Sequence, residues 1–224
     1  MTADFQERLY VLQRKIEQEL IPQLKMRHLS VGEPVDIVTL PEHWHTVGKG
    51  NYAVVVAHSE YPDMVVKVYA DTNGGCKEEA AVYQALGKHP AFSECYCSGA
   101  NYLLLKKLQG DTLYDCVIKG KRVEKQVFAD VEAALEYARL RGLYPHDVHG
   151  KNLMMYEGRG YVVDVSDFYL SEYCSMWSDL KKAYERIYLK TLYKFPLPIP
   201  AWVMNLVRKG YRLYRKRLRR QVAS

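Results

Sequence analysis

Residues 146–164 read His-Asp-Val-His-Gly-Lys-Asn-Leu-Met-Met-Tyr-Glu-Gly-Arg-Gly-Tyr-Val-Val-Asp, and their spacing decides how the chain is read. Asp147 and Asn152 stand five positions apart, and eleven residues separate Asn152 from Asp164. Within those eleven, Leu153-Met-Met-Tyr156, a Glu157-Gly-Arg-Gly160 turn and Tyr161-Val-Val163 predict two short apolar strands joined as a hairpin. A hairpin returns the chain to its starting point, so Asp164 comes back beside Asn152. One amide oxygen and one carboxylate are the hard donors that a Mg²⁺ carried on nucleotide phosphates takes from a protein. Asp147 is then left to orient or deprotonate an attacking hydroxyl.

Upstream, Val47-Gly-Lys-Gly-Asn-Tyr-Ala-Val-Val-Val-Ala57 reads as strand, glycine turn and strand. Gly48 and Gly50 would let the backbone approach phosphates, and Val55 would offer an apolar lid to a base. Met64-Val-Val-Lys-Val-Tyr69 is a buried-looking strand interrupted by Lys67. A charge in such a strand needs a partner. The helical run that starts at Lys77 presents Ala80, Val82, Tyr83 and Leu86 as an inner face, so Glu79, or Glu78, is placed to pair with Lys67.

Taken together and in this order, the motifs resemble the protein-kinase-like superfamily, over roughly residues 44–182. The resemblance implies ATP and Mg²⁺ as cofactors. By it, Gly48, Gly50 and Ala53 fall on the three positions of the glycine-rich loop, with Ala in place of the third Gly. Lys67 falls on the phosphate-anchoring lysine, Glu79 on its helix partner, Asp147 on the catalytic aspartate, and Asn152 and Asp164 on the metal ligands. Tyr102-Leu-Leu-Leu-Lys-Lys-Leu-Gln-Gly110 looks like the last small-lobe strand running into the hinge, with Leu105 as gatekeeper and backbone groups from Lys106 to Leu108 facing adenine.

The departures from the family pattern narrow the kind. His146, not Arg, precedes Asp147, so the residue that would read a phosphorylated activation loop is missing. Val165-Ser166 replaces Phe-Gly after Asp164, no Ala-Pro-Glu follows, and a helix begins by Trp177. Asp179 resembles the large-lobe aspartate that braces the catalytic loop. His149 stands where typical Ser/Thr kinases carry Lys, in a form seen in small-molecule and lipopolysaccharide-core kinases. The chain therefore looks like a compact bacterial-type minimal kinase, related to lipopolysaccharide-core and RIO-like proteins, with His149 beside Asp147 and Lys67 among its catalytic candidates.

Composition agrees. The 224 residues are 48% apolar, enough for one sizeable core or two small lobes and short for a full eukaryotic-type kinase domain. No apolar run is long enough to cross a bilayer, and residues 1–24 are charged throughout, so no leader is expected. Five scattered cysteines suit a reducing cytosol, and Cys95-Tyr-Cys97 lacks a second pair to complete a zinc site.

Helices are predicted over 4–20, ending before Pro22, over 122–141, with Val127, Phe128, Val131, Leu135 and Ala138 inward, and over about 177–192. Three prolines between Phe195 and Pro200 form a stiff break. Past it, residues 201–224 hold eight basic residues and no acidic one. That exceeds the whole-chain charge of +6, so the remainder of the chain is slightly acidic. Val203, Val207, Tyr211, Tyr214 and Leu218 share one helical face among these cations. Such a helix suits docking on the large lobe, an anionic membrane surface or RNA, the last two through residues 201–220.

The expected architecture is α/β (α+β), a two-lobed protein-kinase-like fold with a reduced C-terminal lobe. Residues 1–30 are expected to hold the N-terminal helix, 31–108 the small lobe, 109–194 the large lobe, and 195–224 the break and basic helix. The expected function is phosphotransfer from Mg-ATP to a hydroxyl of protein Ser/Thr, in the cytoplasm or at the inner membrane face. The alternatives are a small-molecule or glycolipid kinase and a nucleotide-binding pseudokinase or scaffold.

Overall fold

A computed structural model describes residues 3–28, 33–70 and 75–222, with 212 and 214–222 as backbone alone. Its centre is a five-stranded antiparallel sheet of order β3-β4-β5-β7-β6. The strands are β3 (Trp44–Lys49), β4 (Ala53–His58), β5 (Met64–Tyr69), β6 (Cys95–Ser98) and β7 (Tyr102–Lys106). Strands β4 and β5 read as nearly unbroken apolar runs because the sheet is covered on both faces.

Alternation along the strands sorts their side chains between two cores. Val54, Val56, Met64, Val66, Val68, Tyr102 and Leu104 pack with Leu12, Ile16 and Leu20 of the N-terminal helix. Ala53, Ala57, Val65, Tyr69, Leu103 and Leu105 join the opposite core, which takes in α3 (Cys76–Leu86) and continues into the second lobe.

The N-terminal helix departs from its predicted end. Helix α1 (Ala3–Lys15) widens into a π-helical turn over Ile16–Leu20 and resumes as α2 (Ile21–Gln23). Pro22 lies in the first turn of α2, where its missing N–H is least costly, so it does not stop the helix. Two short strands then pair, β1 (Lys25–Arg27) in the segment expected to hold only the N-terminal helix with β2 (Asp36–Thr39) near the start of the expected small lobe.

The second lobe is helical around a three-stranded sheet of order β10-β9-β8. Thr112 ends β8 (Asp111–Thr112) and caps α4 (Leu113–Ile118), its hydroxyl accepting from the Asp115 N–H at 3.0 Å. Helix α5 (Lys125–Leu140) buries Val127, Val131, Leu135 and Ala138, with Phe128 half-buried, and Gly142 at φ 76° ends the run.

The hairpin β9 (Leu153–Tyr156) and β10 (Arg159–Val162) is tighter than predicted. Its turn is Glu157-Gly158 alone, at φ 49° and 75°, a mirror-image turn whose twist suits paired strands. Arg159 and Gly160 belong to the strand instead. The reason is α5: Asp130 receives Arg159 Nε at 2.7 Å and the Gly160 N–H at 3.0 Å, and a Cβ at Gly160 would stand 2.4 Å from the Val127 carbonyl oxygen.

Helix α6 (Met176–Arg186) ends earlier than predicted, giving way to a 3₁₀ turn at Tyr188–Lys190. Tyr188 leaves the helical path to stack on Tyr184, ring centroids 5.2 Å apart, while its hydroxyl accepts the Val123 N–H at 2.9 Å. The proline-rich break is held against the lobe, since the Ile199 N–H donates to the Val117 carbonyl at 3.1 Å. Helix α7 (Ala201–Val222) follows, and the Tyr211 hydroxyl donates to Asp179 Oδ2 at 2.8 Å.

Candidate active site

Lys67 lies in the middle of β5, paired across the sheet with Val55 on β4 and Leu103 on β7. The three side chains share the face turned towards α3 and the second lobe. Helix α3 brings Glu79 to this face, fully buried, with Oε2 at 2.7 Å from Lys67 Nζ. The choice that the sequence left between two glutamates falls on Glu79; Glu78, one helical step round, is half-buried with an unpartnered Oε2.

Asp164 reaches the same ammonium from the second lobe, Oδ1 to Nζ at 3.1 Å. Lys67 therefore sits between two carboxylates, one from each lobe. Burial by itself would lower the Lys67 pKa, but the two carboxylates overrule it and hold the lysine charged and above its ordinary value.

The carboxylates respond differently to this arrangement. Burial raises the Glu79 carboxyl, Lys67 opposes it, and the net direction is upward. At Asp164 burial also works upward, but Lys67 and the Ser166 N–H at 3.1 Å prevail and leave the carboxyl below its ordinary value.

The hairpin delivers Asp164 to Asn152 as its geometry requires: Leu153 pairs with Val162, and the Val163 N–H donates to the Asn152 carbonyl at 3.0 Å. Asn152 Nδ2 donates to the Asp147 carbonyl at 3.1 Å and to Asp147 Oδ2 at 3.4 Å. This leaves Oδ1 of the amide, the atom a hard cation prefers. Asp147 itself stands at φ 53°, a left-handed conformation uncommon for any residue but glycine, held by the loop around it. Burial pushes its carboxyl above the ordinary range, Asp164 adds to this, and His149 opposes it. His149 Nε2 lies 3.6 Å from Asp147 Oδ2.

Across the cleft, β3 and β4 are joined by residues 50–52, and the Gly50 N–H donates to the Ala53 carbonyl at 2.8 Å. The pairing of β3 with β4 slips between Thr46 and Gly48. A Cβ at Gly48 would meet only Val55 Cβ, at 3.9 Å, so one face of this glycine is open. Val55 is the one residue of β4 that is not fully buried. Leu105 is buried opposite Val65.

The Lys106 backbone already has partners. Its N–H donates to the Glu94 carbonyl at 2.9 Å and its own carbonyl accepts from Ser93 Oγ at 2.7 Å. The Lys107 N–H likewise goes to the Asp63 carbonyl at 2.9 Å.

A protein of Bacillus subtilis (strain 168) named "Putative serine/threonine-protein kinase YrzF" is 34% identical to this chain over 164 residues, 72% of this chain and 75% of the relative. The chain belongs to the protein-kinase-like family. No protein-family model matches it. Its mixed architecture of an antiparallel sheet with helices on both faces, joined to a helical lobe, is that of a kinase-like fold.

Two residues of this kinase-like site were not singled out from the sequence. The Tyr69 hydroxyl donates to Glu79 Oε2, the same oxygen that Lys67 contacts. The signal was available, because Tyr69 is two residues past Lys67 and a strand returns to the same face every second residue. Asp167 lies 3.9 Å from His146 Nδ1, and its carboxyl is raised by burial and by Asp147 and Asp164. Asp179 accepts from Ser175 Oγ at 2.8 Å as well as from Tyr211, which ties α7 to the start of α6.

Proposed function

We propose that the chain is an ATP-dependent phosphotransferase that moves the γ-phosphate of Mg-ATP to a hydroxyl, with serine or threonine on protein as the acceptor class. The observation that carries this reading is the Lys67 ammonium held between Glu79 and Asp164 at 2.7 and 3.1 Å, with the Asp147–Asn152 loop beside Asp164. Glu79 fixes the ammonium from the rear, so its charge is presented to the cleft, where nucleotide phosphates would lie.

Asn152 Oδ1 and the Asp164 carboxylate would hold the metal. Two such oxygens fit a Mg²⁺ that takes the rest of its shell from phosphates and water. A Mg²⁺ held there by Asn152 and Asp164 would supply positive charge against the charge that develops on the phosphate. Asp147 would orient the acceptor hydroxyl and take its proton, its raised carboxyl making it a better base than an ordinary aspartate. His149 would steady that carboxylate.

Gly48, Gly50 and Ala53 would bring backbone over the phosphates. Val55 would cover the base and Leu105 would stand behind it as gatekeeper, with Leu108 supplying backbone contacts. Residues 31–108 and 109–194 would then form the two walls of the nucleotide cleft, and the N-terminal segment 1–30 would brace the first.

The Bacillus relative's name supports protein serine or threonine as acceptor. A second reading rests on a specific observation: α6 starts at Met176, so the segment after Asp164 is too short for a peptide-docking shelf. That favours a small-molecule or glycolipid hydroxyl, as in lipopolysaccharide-core kinases.

The test is incubation with labelled ATP and Mg²⁺, alone and with protein, sugar and lipid fractions. The labelled fraction identifies the acceptor. Asp147→Asn should retain ATP affinity within a few fold and lower transfer by about 10²–10⁴. Full activity of that variant with every acceptor would overturn the assignment.

A further inference from the structure

Helix α7 carries two apolar stripes, and the fold uses one. Val203 and Met204 are half-buried and Tyr211 bonds to Asp179, so this side of the helix lies nearest the second lobe, with Val207 on it 60% exposed. Trp202, Leu206 and Leu213 lie four and seven residues apart, on one stripe of an α-helix, and are 66%, 57% and 64% exposed. Lys209 at the edge of this stripe and Arg208 further round the helix are exposed, and the lead-in exposes Phe195 and Leu197. The sequence of 201–224 adds six further cations and no carboxylate.

The occupant must satisfy both chemistries. An RNA surface would use the cations, but exposed leucines gain nothing from phosphate. A second copy of the chain could cover the leucines, but a two-fold contact would bring this wholly basic helix against itself. An anionic bilayer surface offers headgroup phosphates for the cations and an acyl boundary for Trp202, Leu206 and Leu213. No helix of the described residues is long and apolar enough to cross a membrane, which is consistent with one lying in the plane of the surface.

We infer that α7 is a docking surface for anionic lipid, with Trp202, Leu206 and Leu213 entering the acyl boundary and the flanking Arg and Lys residues on the headgroups. The inference is independent of the proposed phosphotransfer. Because Tyr211 and the Ile199–Val117 bond fasten α7 and its lead-in to the second lobe, docking would also set the orientation of the whole protein on the bilayer.

The test is co-sedimentation of the full chain with vesicles of phosphatidylcholine alone and of equal parts phosphatidylcholine and phosphatidylglycerol. Binding is expected to the mixed vesicles only, and it should fade as salt is raised. Leu206→Ser with Leu213→Ser should weaken it at least about tenfold. Arg208→Ala and Lys209→Ala should each weaken it about fivefold. All four side chains are exposed, and an unchanged urea midpoint shows that each variant is folded; if the paired serine variant fails that check, Trp202→Ser supplies the apolar arm.

The inference falls if the full chain ignores the mixed vesicles, or if binding survives loss of the apolar stripe. A single-stranded RNA bound more tightly than the vesicles, and unaffected by the serine pair, would make the surface a nucleic-acid site. A concentration-dependent dimer abolished by the serine pair would make it a contact between copies.

Discussion

Replacing Glu79 with alanine should destabilise the fold and do so through charge. Glu79 is fully buried, so water cannot replace what its carboxylate provides. Its loss leaves the Lys67 ammonium with Asp164 alone and strips the Tyr69 hydroxyl of its acceptor. Breaking a buried ion pair costs about 3–5 kcal/mol. Asp164 still neutralises Lys67 in part, which places the expected loss near the lower end, about 3 kcal/mol.

Urea unfolding followed by tryptophan fluorescence would show the midpoint falling by about 1 M for an unchanged slope. Burial already pushes the Glu79 carboxyl upward, so the pair is retained at a desolvation cost that an apolar replacement would not bear. Lys67→Met, Glu79→Leu, Tyr69→Phe and Asp164→Asn combined, which leaves neither carboxylate of the cluster without its cation, should therefore lie within about 1 kcal/mol of the parent, far less than the singles added together. A Glu79→Ala midpoint equal to the parent's would refute the argument, as would a combined variant that loses the full sum.

Two further outcomes follow from the contact between α5 and the hairpin. The Arg159 guanidinium lowers the Asp130 carboxyl from its ordinary 3.8 to about 2. The stability this contributes is present above the unfolded value and is lost as pH falls through about 2. Because Arg159 is largely exposed, the contribution is about 1–2 kcal/mol rather than the full shift, and Asp130→Asn should flatten this part of the stability profile between pH 4 and pH 2, read as the urea midpoint at each pH. Gly160→Ala would set a Cβ 2.4 Å from the Val127 carbonyl oxygen, which is backbone and cannot step aside, so a loss of about 2–3 kcal/mol is expected, and a thermal midpoint within a degree or two of the parent's would show that α5 and the hairpin can separate without cost.

By itself the sequence determined what depends on short-range geometry. The Asn152–Asp164 juxtaposition needs only a hairpin, and the apolar pattern on either side of Glu157-Gly158 is sufficient for one. That the Lys67 strand is buried on both faces was readable from its unbroken apolar run. The helix over Lys125–Leu140 was likewise readable from its spacing and from the glycine that ends it.

Tertiary structure decided everything that depends on how one element is rotated against another. Glu78 and Glu79 differ by one step around α3, and only the seating of that helix on the sheet turns Glu79 towards Lys67 and not its neighbour. Lys67 reaches Asp164 from 97 residues away in sequence, a contact that no local pattern encodes. Helix α7 has apolar residues around more than half of its circumference, so its periodicity could not say which part meets the protein. The Tyr211–Asp179 bond chose one stripe and left Trp202, Leu206 and Leu213 facing outward. Local propensity sets which residues can share a face; burying the greatest apolar area while pairing every buried charge sets which face is used.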